Sequence, residues 1–147
     1  MSTPFSRLLI PRALYEEMVA QARAELPNEC CGLLGGVFEE AGPGGGRVGR
    51  VVRRYPLVNA AASPRLFESD PRSMFDADRD MRRNKLEVLA VYHSHPTSPP
   101  VPSRKDLERN YSEQVMNLII GLTGETPEAR GWWLTESEYH RASFEVI

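Results

Sequence analysis

The segment His93 to Asp106 reads HSHPTSPPVPSRKD and brings two histidines, a serine and an aspartate close together. Imidazole nitrogens and carboxylate oxygens are donor atoms that zinc accepts. His93 and His95 stand one residue apart at the end of an apolar run. Alternate residues of a strand point to the same face, so both imidazoles can reach one ion while Ser94 points away. Pro96 stops the strand. Pro99, Pro100 and Pro102 stiffen the loop that follows, and a stiff loop delivers ligands already placed. Ser103 then starts a short helix with Asp106 in its first turn. Structural zinc takes four protein ligands; three leave a position for water, which is the catalytic arrangement. Zinc lowers the pKa of such a water towards about 7. Hydroxide attack on a carbonyl then needs a base to manage protons and a donor for the oxyanion.

Each piece also has a plainer reading. Two histidines at this spacing also arise as polar strand residues near a surface. Ser103-x-x-Asp106 has capping-box spacing, with Asp in place of the usual Glu. The cap and the metal site are compatible, because a cap would hold both side chains at a helix start. Glu29 lies just past a helix end and reads by itself as a solvated charge. Cys30 and Cys31 read as small residues at the start of a buried strand, and His140, near the C-terminus, as an ordinary residue. The zinc-deaminase signature, H-x-E with P-C-x-x-C, is absent.

The elements that must position these residues follow from periodicity. Leu14, Met18, Ala22 and Leu26 recur every four residues between Pro11 and Leu26, which predicts a helix. Pro11 suits its first turn and Pro27 ends the pattern. Gly32 to Phe38 is a strand candidate. Ala41 to Gly46, AGPGGG, is a flexible turn into a second strand from Arg47 to about Val58, and Ala60 to Ser69 is an irregular crossover. Asp70-Pro71 reads as a cap and first-turn proline of a second helix carrying Met74, Ala77 and Met81. Leu86 to Tyr92 is a buried central strand that feeds into His93. Met116 to Leu122 is another, and Gly131–Leu134 with Ala142–Ile147 closes the chain as an antiparallel pair. Of Trp132 and Trp133, one is expected in the core and the other exposed at an interface. The order predicted is α-β-β-α-β-α-β-β-β, an α/β fold whose mixed β-sheet is sandwiched by helices.

The chain has 147 residues, enough for one domain with a real core, here 1–147. Its formal charge of −2 gives no reason to expect nucleic acid or a membrane as partner. No apolar run reaches the roughly 18 residues of a membrane helix. Met1 to Ile10 lacks the apolar region and cleavage site of a signal peptide. The only two cysteines are adjacent and make no disulfide framework. A reduced, cytoplasmic setting is the expectation, and a homodimer is left open.

The pattern His93-x-His95-Pro96 followed by Ser103-x-x-Asp106 resembles the JAMM motif of the MPN+ metalloproteases. The resemblance implies one catalytic Zn2+ bound by His93, His95 and Asp106, with Ser103 stabilising the tetrahedral intermediate and an upstream glutamate as general base. Glu29 takes that place in PNECCGLLGG, which is similar to the E-x-C-G-x-L-x-G segment of compact bacterial members. Asn59 to Pro71 looks like their connecting segment, and no motif position departs from the pattern. The fold implied is the JAMM/MPN architecture, related to that of cytidine deaminases. The activity implied is that of a zinc-dependent metallo-(iso)peptidase. Its bonds would lie after the C-terminal Gly-Gly of a ubiquitin-like or sulfur-carrier protein. The AGPGGG hairpin and the loop from Asn59 to Ser69 are candidate docking places for such a tail, added as a strand on an exposed edge beside the metal. A general peptidase of another pathway and a non-catalytic MPN scaffold are the alternatives, the complete ligand set weighing against the scaffold.

Overall fold

The computed structural model describes residues 3–147. Residues 1 and 2, the start of the segment read above as lacking a signal peptide, lie outside the described residues. The elements are β1 (Arg7–Ile10), α1 (Arg12–Ala24), β2 (Cys31–Glu40), β3 (Arg47–Leu57), α2 (Pro71–Arg83), β4 (Glu87–His95), α3 (Arg104–Glu108), β5 (Met116–Gly121), β6 (Glu128–Leu134) and β7 (Tyr139–Val146).

The helical periodicities are realised. Met18 and Ala22 of α1 are fully buried, with Leu14 packed beside them. Leu26, the fourth member of that series, lies beyond the end of α1 and is 48% exposed. Asp70 caps α2 by accepting the Ser73 N–H at 3.0 Å, Pro71 opens the helix, and Ala77 and Met81 are buried. The AGPGGG segment turns the chain between β2 and β3, with positive φ at Gly42, Gly44 and Gly46. A side chain would be strained at each of them.

The sheet is mixed, as expected. Its strands run in the order β1-β3-β2-β4-β5-β6-β7 and close into a barrel. Helices pack against the sheet as expected, but its form is a closed barrel rather than a plain sandwich. While β3 beyond Arg50 pairs with β2 alone, β1 pairs in parallel with β3 through Leu8 and Leu9 and with β7 through all four of its residues, which joins the two ends of the sheet. So short a strand carries no period-2 signal, and its apolar run is continuous because Leu8, Leu9 and Ile10 are all buried.

Strands β2 and β4 are antiparallel neighbours at the centre, and β4 pairs in parallel with β5 on its other side. Alternate residues of β2 and β4 serve two cores. Leu34, Ala90 and Tyr92 pack with Met18 and Ala22 of α1, whereas Leu33 and Val91 pack with Ala77 and Met81 of α2. Burial on both sides explains the unbroken apolar run of β4.

One contact in this centre has no slack. A Cβ placed on Gly32 would lie 2.2 Å from both Cζ and Oη of Tyr92. Tyr92 is fully buried, donates its hydroxyl to Gln21 and accepts from Arg54, so the ring has nowhere to go. Gly32→Ala is expected to destabilise the fold by about 2–3 kcal/mol, measured by urea denaturation. A change of less than a few tenths would show that the ring can move aside.

Candidate metal centre

Strand β4 carries His93 and His95 on one face, and α3 brings Asp106 to meet them. His93 Nε2 lies 3.2 Å from His95 Nε2 and 3.3 Å from Asp106 Oδ1. His95 Nε2 lies 3.2 Å from Asp106 Oδ2. Donors about 2.0–2.1 Å from zinc at the corners of a tetrahedron stand about 3.3–3.4 Å apart. The separation of the two imidazole nitrogens matches one edge of such a tetrahedron, and the Asp106 carboxylate straddles the pair, Oδ1 facing His93 and Oδ2 facing His95. The three side chains are the group of metal-capable residues that converge among the described residues. Both histidines are buried, and the Asp106 side chain is 9% exposed.

Local structure aims each donor. His95 Nδ1 is 2.8 Å from the Pro99 carbonyl, which can only accept. That contact puts the ring proton on Nδ1 and leaves the Nε2 lone pair for an ion. At α3 both halves of the capping box are present. Ser103 Oγ accepts the Asp106 N–H at 3.1 Å, and Asp106 Oδ2 accepts the Ser103 N–H at 2.8 Å. The cap and the site therefore share the same two residues, and the Ser103 hydroxyl proton has no acceptor among the described residues. Burial works against ionising Asp106, but His93, His95 and the Ser103 N–H outweigh it. They hold its carboxyl well below the usual range. Burial also disfavours the charged form of His95, yet Asp106 and the Pro99 carbonyl raise its pKa.

Glu29 overturns its plainer reading as a solvated charge. It is only 4% exposed, and its Oε1 has no hydrogen-bond partner among the described residues. Burial pushes its carboxyl up to about 8, with His95 and Lys105 pulling it down and Asp106 pushing it up. Glu29 is thus electrostatically coupled to the His/Asp cluster although it does not belong to it. A divalent cation held there would favour its ionised form. His93 Nδ1 is likewise buried without a partner, and the ring stacks on Phe67 with centroids 4.6 Å apart.

The neighbouring residues sort clearly. Cys30 and Cys31 are fully buried, and burial pushes their thiols up to about 11 and about 12, so neither is a ready thiolate. His140 is exposed beside Glu138, an ordinary surface pair. The expectation of one exposed tryptophan fails, since Trp132 is 6% and Trp133 5% exposed. Trp133 meets Phe5 edge-on in the main core. Trp132 lies under the proline loop and donates its Nε1–H to the Pro100 carbonyl at 3.0 Å. Pro100 also sits on Gly121, where a Cβ would come within 2.7 Å of it. Hence the loop is pinned from beneath as well as stiffened by its prolines. A cavity of about 210 Å³ opens beside His93 and Asp106, with an apolar floor that includes Leu33, Phe67 and Val91 and with Lys105 and Arg109 among its lining.

Ser94, expected only to point away, has a structural task. Its Oγ accepts the Cys30 N–H at 2.8 Å, and its own N–H donates to the Cys30 carbonyl at 3.2 Å. The strand that carries the histidines is thereby tied to the residue next to Glu29. The pairing spans 64 positions of sequence, and no local signal announces it. Ser94→Ala leaves the buried Cys30 N–H without that acceptor and is expected to cost about 1–3 kcal/mol of stability, read by chemical denaturation. An unchanged midpoint would mean that the N–H finds another partner.

Comparison with known proteins places this geometry in context. Residues 11–135 match the family model described as prokaryotic homologs of the JAB domain. The chain is 33% identical over 132 residues to a desampylase of Pyrococcus furiosus, covering 90% of this chain and 84% of that protein. It is 37% identical over 118 residues to a probable TtuB-protein conjugate cleaving protease of Thermus thermophilus, covering 80% and 72%. It is 35% identical over 101 residues to a CysO-cysteine peptidase of Mycobacterium tuberculosis, covering 69% of this chain and 64% of that protein.

Proposed function

This chain belongs to the prokaryotic homologs of the JAB domain, and from that premise we propose that it is a zinc-dependent metallo-isopeptidase whose reaction is carried by His93, His95, Asp106, Glu29 and Ser103. The chain is a hydrolase of this family, with relatives named as a desampylase, a conjugate-cleaving protease and a peptidase. The observation that carries the reading is the buried cluster in which His93 Nε2 and His95 Nε2 lie 3.2 Å apart and each meets one oxygen of the Asp106 carboxylate at 3.2–3.3 Å. These three side chains would hold the zinc ion, which when bound supplies Lewis acidity and a water of lowered pKa.

The remaining chemistry belongs to the chain's own side chains. Glu29 has a free, buried carboxylate oxygen next to the ligand set, the position of a base that takes a proton from the attacking water and returns it to the leaving amine. The Ser103 hydroxyl, with its oxygen already held by the Asp106 N–H, keeps a proton to donate to the oxyanion of the attacked carbonyl. The capping box fixes that hydroxyl before substrate arrives, so no reorganisation is needed at the moment of reaction.

The substrate class we propose is a ubiquitin-like or sulfur-carrier protein joined through its C-terminal Gly-Gly to a protein or to a single residue. Two relatives carry names that support it, a probable TtuB-protein conjugate cleaving protease and a CysO-cysteine peptidase. One part of the expected docking mode is corrected, the place of the AGPGGG hairpin. Beyond Arg50, β3 is paired with β2 alone, and its Leu57 stands opposite Cys31, itself opposite His93, so this half of β3 offers a tail a sheet edge on the metal side. The AGPGGG hairpin follows the far end of β2, whose ten residues begin at Cys31 beside His93. At about 3.3 Å per residue that end is roughly 30 Å away. The loop from Asn59 to Ser69 remains as the tail's docking place, because its Phe67 covers His93. Among the described residues no helix is long and apolar enough to cross a membrane, and we place the enzyme in the cytoplasm with its carrier.

Incubation with a carrier extended through Gly-Gly by a peptide, followed by intact-mass measurement, tests the reading. Cleavage after the second glycine, abolished by a chelator and restored by zinc, is expected. Glu29→Ala is expected to retain zinc and lose turnover by about 10²–10⁴-fold, whereas His93→Ala loses the metal itself. Zinc bound at full occupancy with no cleavage of any carrier would favour the scaffold alternative, and normal turnover in Glu29→Ala would remove the base.

A further inference from the structure

Asn59 follows the end of β3 and makes four hydrogen bonds with its side chain alone. Nδ2 donates to the carbonyls of Glu29 and Leu66, each at 3.0 Å. Oδ1 accepts the N–H groups of Ala61 at 3.0 Å and Glu68 at 2.9 Å. An amide side chain has two donor hydrogens and two acceptor lone pairs, so its capacity is fully used. Two carbonyls can only accept and two N–H groups can only donate, which settles the orientation of the amide.

The four partners lie on two different parts of the molecule. Ala61, Leu66 and Glu68 belong to the crossover loop between β3 and α2, which Asn59 holds across its width together with the backbone pair Ala60 N–H to Glu68 O at 2.7 Å. The fourth partner is the backbone of Glu29. The same loop supplies the other tie to that residue, since the Glu29 N–H donates to the Ser63 carbonyl at 2.8 Å. Glu29 precedes β2 and is outside its ladder. Both backbone polar groups of Glu29 are therefore held by the loop from Asn59 to Ser69 rather than by the sheet. The loop also places Phe67 against the His93 ring.

We propose that Asn59 is a positioning residue for catalysis, one that joins the crossover loop to Glu29 and so sets where the Glu29 carboxylate stands relative to the His93/His95/Asp106 cage. The inference rests on the functional reading above, in which Glu29 is the base. None of the four side-chain hydrogen bonds of Asn59 goes to the cage or to the Glu29 carboxylate, so it acts through the backbone. The side chain at this position must both donate and accept. Aspartate has the same shape but no donor hydrogen when ionised. It would set a carboxylate against the carbonyls of Glu29 and Leu66, which repel it, and the loop would part from the base.

The test compares Asn59→Asp and Asn59→Ala with the parent enzyme on the same carrier extended through Gly-Gly. It measures kcat and KM, zinc content, the visible absorption of the cobalt(II)-substituted protein and the melting temperature. A base displaced by about 1 Å costs up to about 100-fold in rate. The expected result is a fall in kcat of about 10- to 100-fold with KM within about twofold of the parent, zinc content and cobalt spectrum unchanged, and Asn59→Asp no better than Asn59→Ala. If Asn59→Ala melts too low to assay, Asn59→Asp, nearly identical in volume, carries the comparison. Parental kcat in Asn59→Asp overturns the proposal. So does a loss confined to KM, which would make the loop a docking element only. So does a loss that tracks zinc release or an altered cobalt spectrum, which would place the effect in the cage. Should Glu29→Ala itself keep full turnover, the functional reading fails. With Glu29→Ala inactive and Asn59→Asp fully active, only the role of Asn59 falls.

Discussion

Two imidazole nitrogens and one carboxylate group, each bringing an electron pair to within 3.2–3.3 Å of the others, are held together in the interior of this protein. Lone pairs that converge so closely repel, and in a medium of low dielectric constant the repulsion is strong. Only a cation, or protons standing in for one, makes the cluster favourable. The surrounding structure serves to hold the donors in place despite this. Strand β4 is pinned between β2 and β5, the Pro99 carbonyl fixes the tautomer of His95, and the capping box prevents Asp106 from swinging away. Each device costs conformational freedom during folding, not at the moment an ion or substrate binds.

The same constraint explains the setting of Glu29. A carboxylate 4% exposed, with an unpartnered oxygen, is costly in an apolar interior. Its cost falls when positive charge is held nearby, so the His/Asp cluster and Glu29 depend on each other. Their connection runs through the backbone. Ser94, between the two histidines, holds both polar groups of Cys30, and the crossover loop holds both polar groups of Glu29. Glu29 and the His/Asp cluster are thereby registered to one another by hydrogen bonds through the backbones of Cys30 and Glu29.

The closed sheet makes this registration firm. With β1 paired to both β3 and β7, the two ends of the sheet cannot slide apart. The apolar residues of β2 and β4 are sandwiched between the α1 and α2 cores. Trp132 extends the support to the proline loop, packing with Ile119, Leu134, Val101 and Leu107 beneath it while bonding the Pro100 carbonyl. A residue that sequence reading divided between core and interface thus turns out to brace the metal loop.

The local parts were legible in the sequence because their causes are local. The alternation of His93 and His95, the proline stops, the cap at Ser103 and Asp106, and the apolar faces of α1 and α2 each follow from periodicity or from a side chain meeting its own backbone. Only family resemblance singled out Glu29, since no short-range rule distinguishes a buried carboxylate from a surface charge. The rest needed the tertiary structure, because it consists of contacts between distant segments. Closure of the sheet depends on a four-residue strand too short to show a period. The ties of Ser94 to Cys30 and of Asn59 to Glu29 link positions 64 and 30 residues apart. The burial that pushes Glu29 up to about 8 is a property of everything packed around it. By itself the sequence determined which atoms could bind a metal and carry protons. Only the folded chain decided that they converge, since convergence is set by the pairing of strands and the packing of their two faces, and no single segment contains that information.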